Sequence, residues 1–210
     1  MRYWTSDQHF GHHNIIKYSN RPYSDPNYTD VFYTLQMNSD LVARYNAIVT
    51  DTDDVWMLGD LALGHTTKNL LYVAKCAGNK TFLTGNHDKN FRKNGTVKSG
   101  WDKKYAKYCD FDQVLHGTQQ VTLSNGQNVL VSHFPYRGDA RNNERYLDHR
   151  PQDDGTSWLL HGHVHEKWRQ RGRMINVGVD AWAGQPVSEN DIIELISAGE
   201  NDLPPLTWEY

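Results

Sequence analysis

Cysteine is scarce: the 210-residue chain has two, Cys76 and Cys109. Two cannot build a disulfide framework, and no third soft ligand accompanies them at zinc-site spacing, so free thiols in a reducing compartment are expected. Long apolar runs are absent too; none approaches the ~20 residues of a membrane span. The opening MRYWTSDQHF contains no apolar stretch of the signal-peptide kind. A soluble, cytoplasmic protein with no membrane partner is the expectation. Large charge of one sign is also missing. With 22 basic and 25 acidic residues the net charge is −3, which disfavours holding long nucleic acid by general electrostatics. No internal repeat or low-complexity tract occurs, and the 12% aromatic content excludes a disordered chain. A single domain over 1–210 is expected, with a peripheral tail from about residue 197 that carries Pro204 and Pro205.

Alternating patterns organise the rest. Strands are predicted at 2–6, at 53–60 and from residue 80 into the loop 85–88. Between them, 29–49 and 67–78 read as helices, the first on an apolar face of Val31, Phe32, Leu35, Leu41, Val42, Tyr45, Ile48 and Val49. Asn125-Gly126 sits between two alternating apolar runs and marks a hairpin within 119–135. Segments 156–163, 174–180 and DIIELI, 191–196, read as three further strands. A strand–helix first half and a strand-rich second half predict an α/β fold in which two mixed β-sheets pack as a sandwich flanked by helices.

Histidine is abundant, at eleven residues, and its placement matters more than its number. Each of five predicted strands ends in side chains able to bind a metal: Asp7-Gln8-His9, Gly59-Asp60, Gly85-Asn86-His87-Asp88, His133, and His163-Val164-His165. Sites in α/β sheets form beyond the carboxyl ends of strands, so segments distant in sequence can converge. Carboxylate, amide oxygen and imidazole suit borderline divalent ions: Mn, Fe, Co, Ni or Zn. Gly59, Gly85 and Gly162 precede ligand positions and allow the backbone close approach. Taken singly each motif has an ordinary explanation, a turn or a satisfied strand-end histidine; the ordered set of five does not. His163 and His165, two apart on a strand, would share a face.

SDQH, GD, GNHD, the lone His133 and GHVH, spanning residues 7–165, resemble the five ordered motifs of the calcineurin-like metallophosphoesterase superfamily. The surrounding text is similar to small phosphoesterases of phages and bacteria. The resemblance implies a metallophosphatase-like α-β-β-α sandwich with two divalent metal ions as cofactors, manganese favoured in vitro. One ion would take Asp7, His9, Asp60 and His165. The other would take Asp60, Asn86, His133 and His163, with Asp60 bridging. A hydroxide between the ions would attack phosphorus in line, His87 would protonate or stabilise the leaving oxygen and Asp88 would orient His87. His161 is not carried over; it is expected to be hydrogen-bonded beneath the site.

The implied reaction is phosphodiester hydrolysis on a nucleotide-like phosphate ester, with 2′,3′-cyclic nucleotides or RNA ends as candidates. A phosphomonoesterase acting on a small metabolite or nucleotide is the alternative within enzymes, and a non-catalytic binding scaffold the alternative outside them. His12, Arg21 and Arg137 are expected at the substrate. The segment 134–155 holds Arg137, Arg141, Arg145 and Arg150 beside Asp139, Glu144, Asp148, Asp153 and Asp154, so it reads equally as a phosphate clamp or as a self-paired loop.

Overall fold

A computed structural model describes residues 1–23, 29–64, 66–92, 100–139 and 144–208. The first sheet is built from β1 (Arg2–Thr5), β2 (Asp54–Met57), β3 (Asn79–Leu83) and β4 (Phe111–Leu115), all parallel, with β10 (Val187–Ser188) antiparallel at the edge in the order β10-β1-β2-β3-β4. The second has six strands, β5 (Gln119–Thr122), β6 (Asn128–Val131), β7 (Leu159–His161), β8 (Gln170–Gly172), β9 (Met174–Asn176) and β11 (Asn201–Leu203), in the order β11-β8-β9-β7-β6-β5. Here β6, β7 and β9 run parallel and the outer pairs antiparallel. Both sheets are therefore mixed, as expected. Among the described residues no helix is long and apolar enough to cross a membrane.

The pleat sorts the core. On β2, Val55 and Met57 face the helices, while Trp56 and the following Leu58 face the second sheet. The helix side is filled by α1 (His13–Tyr18), α2 (Asp30–Asn46), α3 (Thr66–Ala74) and α4 (Trp101–Cys109). Leu83, Val131, Leu160 and Ile175 meet Trp4 between the sheets. Burying such side chains contributes roughly 1.5–3 kcal/mol each against exposure, which decides the pairing of the two layers.

Two sequence expectations fail on helix geometry. Residues 191–196 are not a strand: α5 (Glu189–Ala198) covers them. Ser188 accepts from the Asp191 backbone N–H while the Asp191 carboxylate accepts from Ser188, a capping box, and Ile192 and Ile196 bury one helical face. The isoleucines gave the segment a strand-like composition that the cap overrides. In α2 the buried stripe is Tyr33, Met37, Leu41 and Tyr45, four residues apart, whereas Val31, Phe32 and Leu35 are 68%, 45% and 50% exposed. The bulkier stripe reaches the sheet and turns those three to solvent. Helices α1 and α4 and strands β4 and β8 were not anticipated. The segment after Ser197, expected as a peripheral tail, supplies the edge strand β11, and Trp208 lies under the Arg44 guanidinium.

Candidate metal centre

The carboxyl ends of β1, β2, β3, β6 and β7 open on one crevice. Its walls are tied by backbone bonds: Asp7 N–H donates to Gly59 O (3.0 Å), His9 N–H to Asp60 O (3.0 Å) and Gly162 N–H to His133 O (3.1 Å). Gly59 and Gly85 touch across it; a Cβ on Gly59 would lie 2.4 Å from Gly85 N, and one on Gly85 2.4 Å from Asp60 Oδ1. Only glycine fits either position without moving backbone.

Seven expected ligands are brought together in two groups. Asp7, His9 and His165 offer donor atoms all within 4.8 Å of one another, and so do Asp60, His133 and His163. Asp60 joins the groups: its Oδ2 is 3.5 Å from His9 Nε2 and 3.5 Å from His133 Nε2. Asn86 Oδ1 is 3.0 Å from His133 Nε2 and so belongs beside the second group. Asp7, His9, Asp60, His163 and His165 all have positive φ, between 51° and 72°. Outside glycine this region costs on the order of 1–3 kcal/mol per residue, though Asp and His tolerate it better than most. Strain is thus concentrated on the ligand positions. It also corrects the strand-face rationale: β7 ends at His161, and His163 and His165 lie on a left-handed turn after it, each aimed at a different group.

The imidazoles are oriented from behind. His133 Nδ1 meets Leu58 O at 2.6 Å; a carbonyl only accepts, so Nδ1 holds the proton and Nε2 faces the centre. His165 Nδ1 is 2.8 Å from Asp180 Oδ2, which leaves Nε2 forward. His163 Nε2 is 3.1 Å from Asp139 Oδ2, which leaves Nδ1 forward. Such outer partners fix ring orientation and raise ligand basicity. Burial lowers His9 well below its ordinary value, against the pull of Asp60, and lowers His163 to about 4. His133 is equally buried, but the Asp60 carboxylate raises it to about 9.

Within this crevice Asp7 Oδ1 and both nitrogens of His9 are buried without a hydrogen-bond partner among the described residues. Such atoms are expensive unless something outside the chain satisfies them. Carboxylate and imidazole, grouped around a shared carboxylate, fit two borderline divalent ions.

Other expected residues are placed differently. Asp88 does not orient His87. Its carboxylate accepts from the backbone N–H groups of Asp60 (2.8 Å), Gly85 (2.8 Å) and Leu61 (3.1 Å), so it staples two ligand loops together. Burial and the Asp60 charge push it up to about 7. His87 is exposed; its N–H donates to Asp60 Oδ1 (2.8 Å) and its ring lies 5.3 Å from that of His9. His12 borders the centre, 5.5 Å from the His9 ring, and burial lowers it to about 4. Arg21, expected to meet substrate, has no exposed side chain to offer it. It is buried, paired with Asp180 at 2.7 and 3.0 Å, and it donates to Asp7 O and Gln8 O. Arg137 is largely exposed and pairs with Asp153. Arg141 lies outside the described residues. His161 sits beneath as expected, its Nδ1 2.7 Å from Gly162 O, with burial lowering it to about 3. Sequence reasoning missed Asp139 and Asp180. They lie 24 and 15 positions from the histidines they brace, His163 and His165, and neither carries a local signal.

No family model matches the chain. It is similar to the Gene 66 protein of Mycobacterium phage L5, 30% identical over 207 residues covering 93% of each chain. The Gene 66 protein of Mycobacterium phage D29 is 30% identical over 210 residues, 96% of this chain and 98% of that protein. An uncharacterized protein of Methanocaldococcus jannaschii, MJ1445, is 30% identical over 217 residues, 96% and 97% of the two chains. Among solved structures, a protein of unknown function from Aquifex aeolicus superposes with a TM-score of 0.65 at 26% identity, over 93% of this chain and 98% of that one. A shared ancestry over nearly the whole length follows, and the chain belongs to the family of the mycobacteriophage Gene 66 proteins.

Proposed function

We propose that this protein is a binuclear metal-dependent phosphoesterase of calcineurin-like metallophosphoesterase fold, acting on phosphodiesters. The reading rests on one pair of distances: Asp60 Oδ2 lies 3.5 Å from an imidazole nitrogen of each donor group, the position of a bridging ligand. Asp7, His9, Asp60 and His165 would hold one ion, and Asp60, Asn86, His133 and His163 the other. When bound, two such ions supply Lewis acidity to a phosphate ester and acidify water between them.

The chain's own contribution is position and proton delivery. Arg21 and Asp180 fix the backbone of Asp7 and the ring of His165. Asp88 fixes the loops that carry Asp60 and Asn86. His87 stands exposed at the mouth, anchored through its N–H to Asp60, where its ring donates a proton to the departing alkoxide. The crevice wall excludes solvent from Asp7 and His9, so charge interactions there act in a low-dielectric setting.

Hydrolysis of bis(4-nitrophenyl) phosphate with added Mn²⁺ tests the reading. Turnover that disappears with chelator and returns with excess metal is expected. An inert protein that binds two equivalents of Mn²⁺ by calorimetry would refute catalysis, and one that binds none would refute the metal centre.

A further inference from the structure

Between α3 and α4 lies an open cleft of about 870 Å³, within the size range of small-ligand sites. Among the described residues its wall includes Thr67, Lys68 and Leu71 from α3, Trp101 and Tyr108 from α4, and Lys89. None of the expected metal ligands belongs to that described wall. The two helices are tied directly, Cys109 Sγ donating to Leu70 O at 3.7 Å. Lys89 is tied to α4 as well, since its N–H donates to the Tyr105 hydroxyl at 3.0 Å.

The charge of this face runs against that of the chain, whose net is −3. Helix α3 holds Lys68 and no acidic residue, and α4 holds Lys103, Lys104 and Lys107 against Asp102 alone. Asp102 is committed: Oδ1 accepts from Asn90 (2.7 Å) and Oδ2 is 3.2 Å from His116 Nε2. Lys68, Lys89 and Lys104 are exposed. None of the three forms an ion pair among the described residues; the lysine that does is Lys17, with Asp30. Lys104 Nζ lies instead 4.4 Å over the Trp101 ring. Apolar surface stands beside these cations. Leu71 is 51% exposed, and Trp101 and Tyr108 are half-buried in the cleft wall. The two aromatic residues are seven positions apart on α4, a rise of roughly 10 Å, or about three nucleotide steps of ~3.4 Å.

We infer that this cleft is a binding surface for single-stranded nucleic acid, with phosphates on Lys68, Lys89 and Lys104 and bases against Trp101, Tyr108 and Leu71. Aromatic side chains set among separated cations hold a strand without reading its sequence. A duplex turns its bases inward and offers those side chains nothing. An acidic peptide would answer the lysines and leave the rings idle. The chain's overall negative charge is no obstacle, because exposed charges more than ~8 Å away are largely screened at physiological salt, and a short strand meets the local patch. The inference stands apart from the phosphoesterase reading, since no group of the metal centre takes part in it.

Fluorescence anisotropy tests it, using labelled oligothymidylate and oligouridylate of about twelve nucleotides, within the usual range of site sizes. The protein is measured as purified and again in EDTA, with the folding of each variant checked by circular dichroism and Tm. The strand should bind wild type with log K falling against log salt at a slope of about −2, from three phosphates at roughly −0.7 each. The double variant Lys68→Gln/Lys104→Gln changes exposed side chains only. It should bind more weakly, with a slope of about −0.7, and cleave bis(4-nitrophenyl) phosphate at the wild-type rate. Tyr108→Leu keeps every lysine and should weaken the strand at least about fivefold, the low end of base–aromatic stacking. A duplex and an oligoglutamate of matching length should both bind more weakly than the single strand. The tighter of the two labelled strands identifies DNA or RNA as the source, and equal affinity shows that the cleft ignores the 2′-hydroxyl. No strand binding, wild-type affinity and slope in the double variant, or a duplex or oligoglutamate bound as tightly as the strand overturns the inference. Strand binding by a protein that cleaves nothing keeps the cleft and removes the phosphoesterase reading; cleavage without strand binding does the reverse.

Discussion

The two donor groups look alike in composition but are supported in different ways. Behind Asp7, His9 and His165 stands a fully buried ion pair, Arg21 with Asp180, whose members reach both the Asp7 backbone and the His165 ring. Behind Asp60, His133 and His163 stands Asp139, on the long segment between β6 and β7. Arg145 and Arg150 hold its carboxylate, and Lys167 donates to its backbone carbonyl. The first support is one ion pair closed to solvent, and the second is a buried carboxylate on a connecting segment, shared between the buried Arg150 and the exposed Arg145. The first group's geometry should therefore be inseparable from global stability, while the second group's should be adjustable by changes that leave the fold alone.

Asp60→Ala should give the largest effect, because Asp60 is common to both groups. Hydrolysis of bis(4-nitrophenyl) phosphate should fall by roughly 10³-fold or more, the scale of losing a group that stabilises transition-state charge. Calorimetry with Mn²⁺ should show fewer than two bound equivalents; two intact sites would remove the bridging role. Arg21→Ala comes next. It leaves the buried Asp180 without its guanidinium partner, with only the His165 ring beside it, which should destabilise the fold by about 3–5 kcal/mol. A urea midpoint matching wild type would show that the core support is dispensable. Asp139→Asn should be milder and selective. Loss of an outer partner of a metal-binding histidine weakens affinity by about 10–100-fold, and it should do so for one Mn²⁺ equivalent only, with Arg150 still paired to Glu144. Equal weakening of both equivalents would erase the contrast between the groups. The smallest change is expected far from either group. Burial pushes the thiols of Cys76 and Cys109 up to about 12, so neither should react with a disulfide reagent at neutral pH until unfolding, with or without metal. Labelling that accelerates on chelation would mean that the helix-side core also depends on the centre.

Much of the site was legible before any coordinates. Its seven expected ligands sit in ordered motifs at strand ends, and strand ends are where α/β sheets expose backbone turns. The parallel strands β2 and β3 and the hairpin at Asn125-Gly126 were equally readable, since each depends on neighbours in sequence. Residues 191–196 misled because β-branched composition and helical capping pointed opposite ways, and the cap at Ser188 lay just outside the window. Arg21 shows another kind of failure. An arginine near a motif is as compatible with a substrate contact as with a buried clamp; only its partner, Asp180, distinguishes them, and that partner is 159 positions away.

The amino-acid order by itself determined which residue types could bind metal, that they fall at strand ends, and that two mixed sheets would carry them. Those properties follow from local periodicity and side-chain chemistry. The tertiary structure alone decided that Asp60 lies between two histidines and that Asp88, Asp139 and Asp180 brace the expected ligands. Each of these depends on which distant segments pack together, and close packing permits contacts that spacing along a chain does not encode.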